Sequence, residues 1–398
     1  MTQPASASRK LRILHVLRAP LGGLFRHVVD LTREQIERGH AVGLVTDSRT
    51  GGRRADETLD ALTPSLELGL LRIPMQRPAH ILDIPAALRV AAHANALNVD
   101  VVHGHGSKGG AYARLPAVLS RADKPVRAYT PHGGSFNYRS GPLIERTYMA
   151  IERLLVAGTD VYLFESGYIA QQFRRRVGPT TKLTRIVYNG LSPNEFVPVA
   201  PNADAADFLY VGELRAAKGI DTLIDAIALI SQGPIKPRLV LVGSGPDDAK
   251  LIEHAVQRGI GEQVTFAGVM PAHEAFRLGR VLVVPSRAES LPYIVLEAAA
   301  AEVPLVATDV GGINEIFGPY RDRLIVPDDP QLLAATLKKT LTRPADQVRA
   351  ESRALADFVK TKFKISDMAD AVIAGYAEAL AARRSRRSPA NSSVVPSS

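Results

Sequence analysis

The chain of 398 residues has no cysteine and no tryptophan, and its aromatic content stops at 11 Tyr and 11 Phe. Without cysteine there can be no disulfide framework and no thiolate metal site. No uninterrupted apolar run reaches the roughly 18 residues that suggest a membrane span. The first apolar stretch, Leu11–Leu17, is broken by Arg12 and His15, so it reads as a buried strand and not as the core of a signal peptide. A cytoplasmic protein is expected. No Asp-x-Asp occurs in the chain, so the usual carboxylate pair for a metal–diphosphate is missing. Walker-type lysine loops, His-Glu-x-x-His and Gly-x-Ser-x-Gly are missing as well.

A hydrophobic share of 46% with 22% charged residues describes a globular protein. The length is too great for one core and suits two domains. The net charge of +9 is unevenly placed: residues 1–190 hold 26 Lys+Arg against 15 Asp+Glu, and the remainder 23 against 25. A basic front half implies anionic partners, such as phosphates or an acidic membrane face, or else charge kept for solubility. A nucleic-acid module is disfavoured by the few aromatics and the lack of any such motif.

Short apolar runs alternate with helical patterns, which is the signature of parallel βαβ units. Strands are expected at Ile13–Val16, Ala41–Thr46, Leu70–Ile73, Val99–His103, Val126–Thr130, Val161–Phe164 and Ile186–Tyr188. Helical segments such as Arg26–Arg38, Ile81–Leu97 and Leu143–Ala157 lie between them. After a proline-rich linker at 192–203 the alternation restarts. Strands follow at Phe208–Val211, Leu239–Val242, Val264–Phe266, Val281–Val284, Leu305–Thr308 and Arg323–Val326. Helices are expected at Ile220–Ile230, Asp247–Gln257, Tyr293–Ala301, Pro330–Leu341, Ala350–Val359 and Ile365–Ala382. The domains are therefore 1–191 and 204–364, each Rossmann-like and doubly wound, facing one another across a cleft. The C-terminal helix 365–382 is expected to cross back to the first domain, followed by a disordered basic tail over 383–398.

Ligands in such sheets bind at the carboxyl ends of strands, and six stretches there carry chemistry. Val284-Pro-Ser-Arg-Ala-Glu-Ser-Leu-Pro-Tyr-Ile-Val-Leu-Glu297 runs from strand to helix with Glu289 in the loop and Glu297 in the first helical turns. The helix start between them offers unpaired N–H groups to a phosphate, and each carboxylate can accept from sugar hydroxyls. A solvated charge pair is the plainer alternative. Val211-Gly-Glu-Leu-Arg-Ala-Ala-Lys-Gly219 sets Arg215 and Lys218 at another helix start, where a cation suggests an anion. Gly22 and Gly23 allow close backbone approach after the first strand. Gly243, in Leu241-Val-Gly-Ser-Gly-Pro246, marks a turn that lacks the third glycine of a dinucleotide fingerprint. His132 ends the fifth strand beside Gly133 and Gly134. His103 and His105 also read as following a strand, with loop or acceptor contacts favoured over metal.

As an ordered set these motifs resemble the retaining glycosyltransferases of family 4, which have the GT-B fold. The resemblance rests on Gly22-Gly-Leu-Phe-Arg-His-Val28, Tyr129-Thr-Pro-His-Gly133, Val187-Tyr-Asn-Gly190, the Glu289–Glu297 pair and Pro304-Leu-Val-Ala-Thr-Asp-Val-Gly-Gly312. It implies that Lys218 binds the donor diphosphate, Glu297 the ribose and Glu289 the transferred sugar. It also implies phosphate contacts from backbone around Ser290, Leu291 and Pro292, His132 beside the reacting centre and Gly23 near the diphosphate. Metal-independent transfer of a hexosyl unit from a UDP- or GDP-sugar, with retention, is the implied activity, with no cofactor. The basic front half suggests a lipid-linked saccharide acceptor at the inner membrane face, in exopolysaccharide or lipopolysaccharide assembly. A sugar-nucleotide epimerase on the same fold is the alternative. Three positions depart from the family: Glu213 where Arg is frequent, Ser290-Leu291 in place of Gly-Phe, and Tyr188 in place of Pro.

Overall fold

A computed structural model describes residues 9–77, 80–120, 125–136 and 141–387. The chain forms two units. The first contains residues 1–165, 170–187 and 366–398; the second contains 166–169 and 188–365.

The first unit holds seven strands: β1 (Arg12–Leu17), β2 (Ala41–Asp47), β3 (Leu70–Ile73), β4 (Val101–His105), β5 (Val126–Thr130), β6 (Val161–Phe164) and β7 (Leu183–Ile186). They pair in the order β3-β2-β1-β4-β5-β6-β7, all parallel. Strands β2, β4 and β5 are buried along their whole length, as expected of a parallel sheet covered on both faces.

The second unit holds β8 (Ala206–Val211), β9 (Leu239–Val242), β10 (Val264–Gly268), β11 (Gly279–Val284) and β12 (Leu305–Ala307), in the parallel order β10-β9-β8-β11-β12. Its two cores divide by the two-residue period of the strands. Leu209, Leu282 and Val284 belong to one apolar cluster. Phe208, Tyr210, Val281 and Val283 belong to the other. Helix Ile220–Ser231 closes the latter with Ile220, Leu223, Ile224, Ile227 and Ile230, one apolar stripe at helical spacing.

In each sheet the first strand lies beside the fourth. The strand order reverses there, so the loops leaving β1 and β4, and those leaving β8 and β11, open at topological switch points. The helix Ile365–Arg387 joins the first unit from Ser366 onward. Its buried Met368, Ala369, Val372, Tyr376 and Ala379 form one face, and a Cβ at Gly375 would lie 2.8 Å from Leu163 of β6.

Several expected boundaries are corrected. β4 runs two residues later than Val99–His103, so His103 and His105 are strand residues and not loop residues. β7 ends at Ile186 where a strand through Tyr188 was expected. Arg323–Val326 is no strand: Arg323 closes a 3-10 turn, and only Ile325 makes a bridge, to Thr308. The helix expected from Arg26 begins at Gly22. Helices Arg53–Leu62, Gly106–Ser120 and Gly167–Arg176 also lie between strands and are not among the segments named from the sequence. The last helix extends to Arg387, five residues into the expected tail, and Arg383 pairs with Asp160 at 2.7 Å. Residues 388–398 of that tail lie outside the described residues.

Candidate active site

In the second unit the loop after β8 carries Lys218 and the loop after β11 carries Glu289. Their charged atoms meet, Lys218 Nζ donating to Glu289 Oε1 at 2.6 Å, with side-chain exposures of only 17% and 9%. Ser286 Oγ donates to the same oxygen at 2.8 Å. Glu289 Oε2 has no hydrogen-bond partner among the described residues. That leaves it free to accept from a hydroxyl. Burial makes such a bond stronger than it would be in water.

The loops themselves are held by backbone. Lys218 ends a 3-10 turn, and Gly219, at φ 65°, redirects the chain into helix Ile220–Ser231. Gly311, at φ 60°, lies so close to the Glu289 carbonyl that a Cβ would come within 1.9 Å of its oxygen. The next amide, Gly312 N, donates to Ser290 O at 2.8 Å. Thr308 Oγ1 donates to Ser286 O at 2.6 Å, and Asn189 Nδ2 donates to Leu291 O at 2.8 Å. The Asn-Gly turn and the Asp-Val-Gly-Gly turn, quoted above as motifs, are therefore the supports of the Glu289–Leu291 segment.

That segment leads through Ser290, Leu291 and Pro292 into helix Tyr293–Ala300, whose start has no side-chain cap and no acidic residue in its first turn. The first N–H groups of such a helix and its positive dipole end favour an anion. Glu297 lies half-buried on this helix, five residues in. Gly243 follows β9 at φ 139°, and a Cβ there would strike the Gly212 carbonyl of the β8 loop at 1.8 Å. Arg215 is half-exposed and pairs with Glu213 at 2.9 Å. The acid standing where the family has arginine thus engages the arginine two residues on.

Arg287 is a positioning residue that the sequence did not reveal. Its guanidinium grips the Asp221 carboxylate with two bonds of 2.8 Å, and it also reaches Asp328, Thr222 and the Ala216 carbonyl. The Arg287 N–H donates to Ala217 O at 2.9 Å. One side chain thereby ties the lysine loop to the Glu289 loop. The bonds to Asp221 push the arginine further toward its charged form. Burial alone would raise Asp221, but Arg287 outweighs it and holds the acid below its ordinary range.

In the first unit Gly22 and Gly23 are exposed at the start of helix Gly22–Glu37, after β1. His132 follows β5 at φ 51°, an uncommon conformation for a residue with a side chain. Strand register brings it company: His15 of β1 pairs with His103 of β4, and His105 with Thr130 of β5. Nδ1 of His15 lies 2.9 Å from Nε2 of His105, and Nδ1 of His105 lies 3.1 Å from Nε2 of His132. His15 Nε2 is 2.8 Å from Gln35 Oε1. His103 contacts Tyr376 at 2.7 Å and Thr130 at 2.9 Å. His27 packs edge-on against His132 with ring centroids 4.6 Å apart.

Burial lowers the pKa of His15 to about 4 and drives His103, His105 and His132 well below the ordinary imidazole value. The ligand atoms of His15, His103 and His105 approach within 4.8 Å of one another, as do those of His27, His105 and His132. At 2.9 and 3.1 Å the nitrogen pairs stand at hydrogen-bond distance. Imidazoles bound to one ion at about 2.0–2.1 Å would be spread wider.

Residues 21–195 match the model of Glycosyltransferase Family 4, and residues 192–356 match that of Glycosyl transferases group 1. The Bacillus subtilis protein EpsD, described as a glycosyltransferase, is 33% identical over 236 residues, which span 55% of this chain and 61% of that one. Among solved structures, sucrose-phosphate synthase from Thermosynechococcus elongatus superposes with a TM-score of 0.76 at 24% identity, covering 94% of this chain and all of that one. Anabaena HepE in complex with UDP-glucose gives 0.75 at 18% identity, with 94% and 100% covered. At those identities the two structures establish likeness of fold.

Proposed function

Because this chain is a two-domain glycosyltransferase of the GT-B fold, we propose that it moves a hexosyl unit from a UDP- or GDP-sugar to a saccharide acceptor, with retention and without a metal. The observation that carries this reading is the buried Lys218–Glu289 contact beside an uncapped helix start. A diphosphate placed there meets one ammonium and several N–H groups. Glu289 Oε2 accepts from a hydroxyl of the transferred sugar, and Glu297 accepts from the ribose. The base and ribose lie toward Gly243 and Glu297, and Ser290, Leu291 and Pro292 present backbone to the phosphates. The complex of HepE with UDP-glucose supports a donor of this kind.

Retention follows if the acceptor hydroxyl attacks from the face the diphosphate leaves. The departing phosphate oxygen then takes the hydroxyl proton as the new glycosidic bond forms, so the protein supplies position and charge. Lys218 and the helix dipole stabilise the negative charge that grows on the diphosphate. Arg215 remains a subsidiary cation, and Gly22, Gly23 and His132 are the first unit's candidates for contact with substrate.

A thermal-shift series tests the donor. A bound nucleotide sugar stabilises the fold by roughly 2.7 kcal/mol at 100 times its dissociation constant. One of the UDP-, GDP- or ADP-sugars is expected to raise the melting temperature, and Lys218→Ala to reduce that rise. Silence across the series from a folded protein would remove the reading.

For the acceptor, the excess of 26 Lys+Arg over 15 Asp+Glu in residues 1–190 favours a lipid-linked saccharide at the anionic cytoplasmic membrane face, in surface-polysaccharide assembly. Among the described residues no helix is long and apolar enough to cross a membrane, and the contact proposed is a peripheral one. Co-sedimentation with acidic vesicles at low salt, lost at high salt, is expected; equal recovery with neutral vesicles would refute it.

A further inference from the structure

The buried histidines of the first unit form a line with a direction. A neutral imidazole has one donor nitrogen and one acceptor nitrogen. Gln35 Oε1 can only accept, so His15 Nε2, 2.8 Å away, carries the proton. His15 Nδ1 is then bare and accepts from His105 Nε2–H at 2.9 Å. His105 Nδ1 is bare in turn and accepts from His132 Nε2–H at 3.1 Å. The other arm of the same amide faces Tyr376, Nε2 lying 3.5 Å from its hydroxyl. That hydroxyl donates to His103 Nδ1 at 2.7 Å, which leaves His103 Nε2–H for Thr130.

We propose that Gln35, His15 and His105 are positioning residues that hold His132 in its Nε2–H tautomer, so that its Nδ1 faces substrate as a hydrogen-bond acceptor. His132 Nδ1 has no protein partner among the described residues. His132 and His105 both line a cavity of about 340 Å³ with Arg18, Ser107, Lys108 and Tyr148. An additional proton inside the line would set two N–H groups against each other. Only His132 Nδ1 can take one without that clash. The far end is an amide, which has no site for a proton, so the line fixes orientation and does not conduct. Reversing the Gln35 amide would reverse every donor along it and turn His132 into a donor.

The consequence is chemical selectivity. A bare Nδ1 repels phosphate oxygens and attracts O–H, so its partner is a hydroxyl of the sugar or of the acceptor. This last step rests on the glycosyl-transfer reading; the tautomer does not.

Long-range 1H–15N correlation spectra of the 15N-labelled full chain, without ligand at neutral pH, read each ring directly. His15, His105 and His132 are expected as Nε2–H tautomers. An Nδ1–H or doubly protonated His132 overturns the assignment. Gln35→Glu keeps an acceptor and should preserve the pattern, whereas Gln35→Leu should leave His132 averaged between forms. A folded Gln35→Leu protein that retains pure Nε2–H His132 also overturns it. Tight uptake of one Zn2+ per chain, with loss of the histidine N–H signals, would replace the hydrogen-bonded line with a metal centre.

In turnover of the donor found by thermal shift, Gln35→Leu should lower kcat roughly 10-fold or more with little change in KM, and Gln35→Glu should restore it. The expected spectra with unaltered turnover would sink the hydroxyl contact alone. No donor binding at all would sink the glycosyl-transfer reading and leave the tautomer standing.

Discussion

Lys218 and Glu289 neutralise each other in a site that excludes most solvent, and a donor bound as proposed would compete for both. In the transfer proposed above, Lys218 serves the leaving group, whose negative charge grows during reaction, so its loss should weaken the transition state more than the bound donor. We expect Lys218→Ala and Glu289→Ala each to lower kcat/KM by about 10²–10³ while the protein stays folded. Release of nucleotide diphosphate measures this, and near-normal turnover in either variant would contradict the assigned roles. Glu289→Gln should retain folding and lose less than the alanine variant, because an amide oxygen can still accept from Lys218 Nζ.

The elements that carry those two side chains are set by glycines and by one arginine. At Gly311 a methyl group would meet the Glu289 carbonyl oxygen at 1.9 Å, on a backbone with φ of 60°. Gly311→Ala should therefore displace the Glu289 loop, costing about 1–3 kcal/mol. Donor affinity should fall with it, by calorimetric titration, whereas the cores on either face of the second sheet are untouched. An unchanged affinity would mean that the loop has slack the geometry does not suggest.

The same elements explain what could be read from the chain alone. Leu239–Val242 and Pro330–Leu341 coincide with their expected bounds because an apolar run, or an Asp-Pro start, marks both ends locally. Helix Gly106–Ser120 escaped notice because it opens Gly-Ser-Lys-Gly-Gly and carries Pro116, a composition that local propensity reads as loop. Arg323–Val326 has the apolar look of a strand, yet finds only one bridge at the sheet edge. The Glu289 and Glu297 spacing was legible because loop and helix adjoin in sequence. Arg287 was not, since its meaning comes from Asp221, 66 residues earlier. The histidine line was hidden for the same reason: it exists only through the register of β1 on β4 and the return of Tyr376.

For the molecule as a whole, those histidines couple stability to acidity. His15 holds a folded pKa of about 4 against an ordinary 6.5, and burial moves His103, His105 and His132 the same way. Between those values the unfolded chain binds protons that the folded chain refuses, so stability is full above about pH 6.5 and falls as pH drops toward 4. His15 alone is worth on the order of 3 kcal/mol across that window. At constant ionic strength we expect the melting temperature at pH 5 to lie roughly 4–8 °C below that at pH 7.5. A flat profile would show that the imidazoles are solvated and chargeable in the native state.

The first unit is completed by residues that are made after the whole of the second unit. Arg38, Asp160 and Arg185 find Asp370, Arg383 and Glu378 only after the intervening second unit has been made. The rear unit, almost continuous in sequence, can mature while the front one still waits with Gln35 and His103 uncovered. During synthesis the front half is therefore the part that needs chaperone shelter. A premature stop shortly before Tyr376 would damage the lobe encoded first.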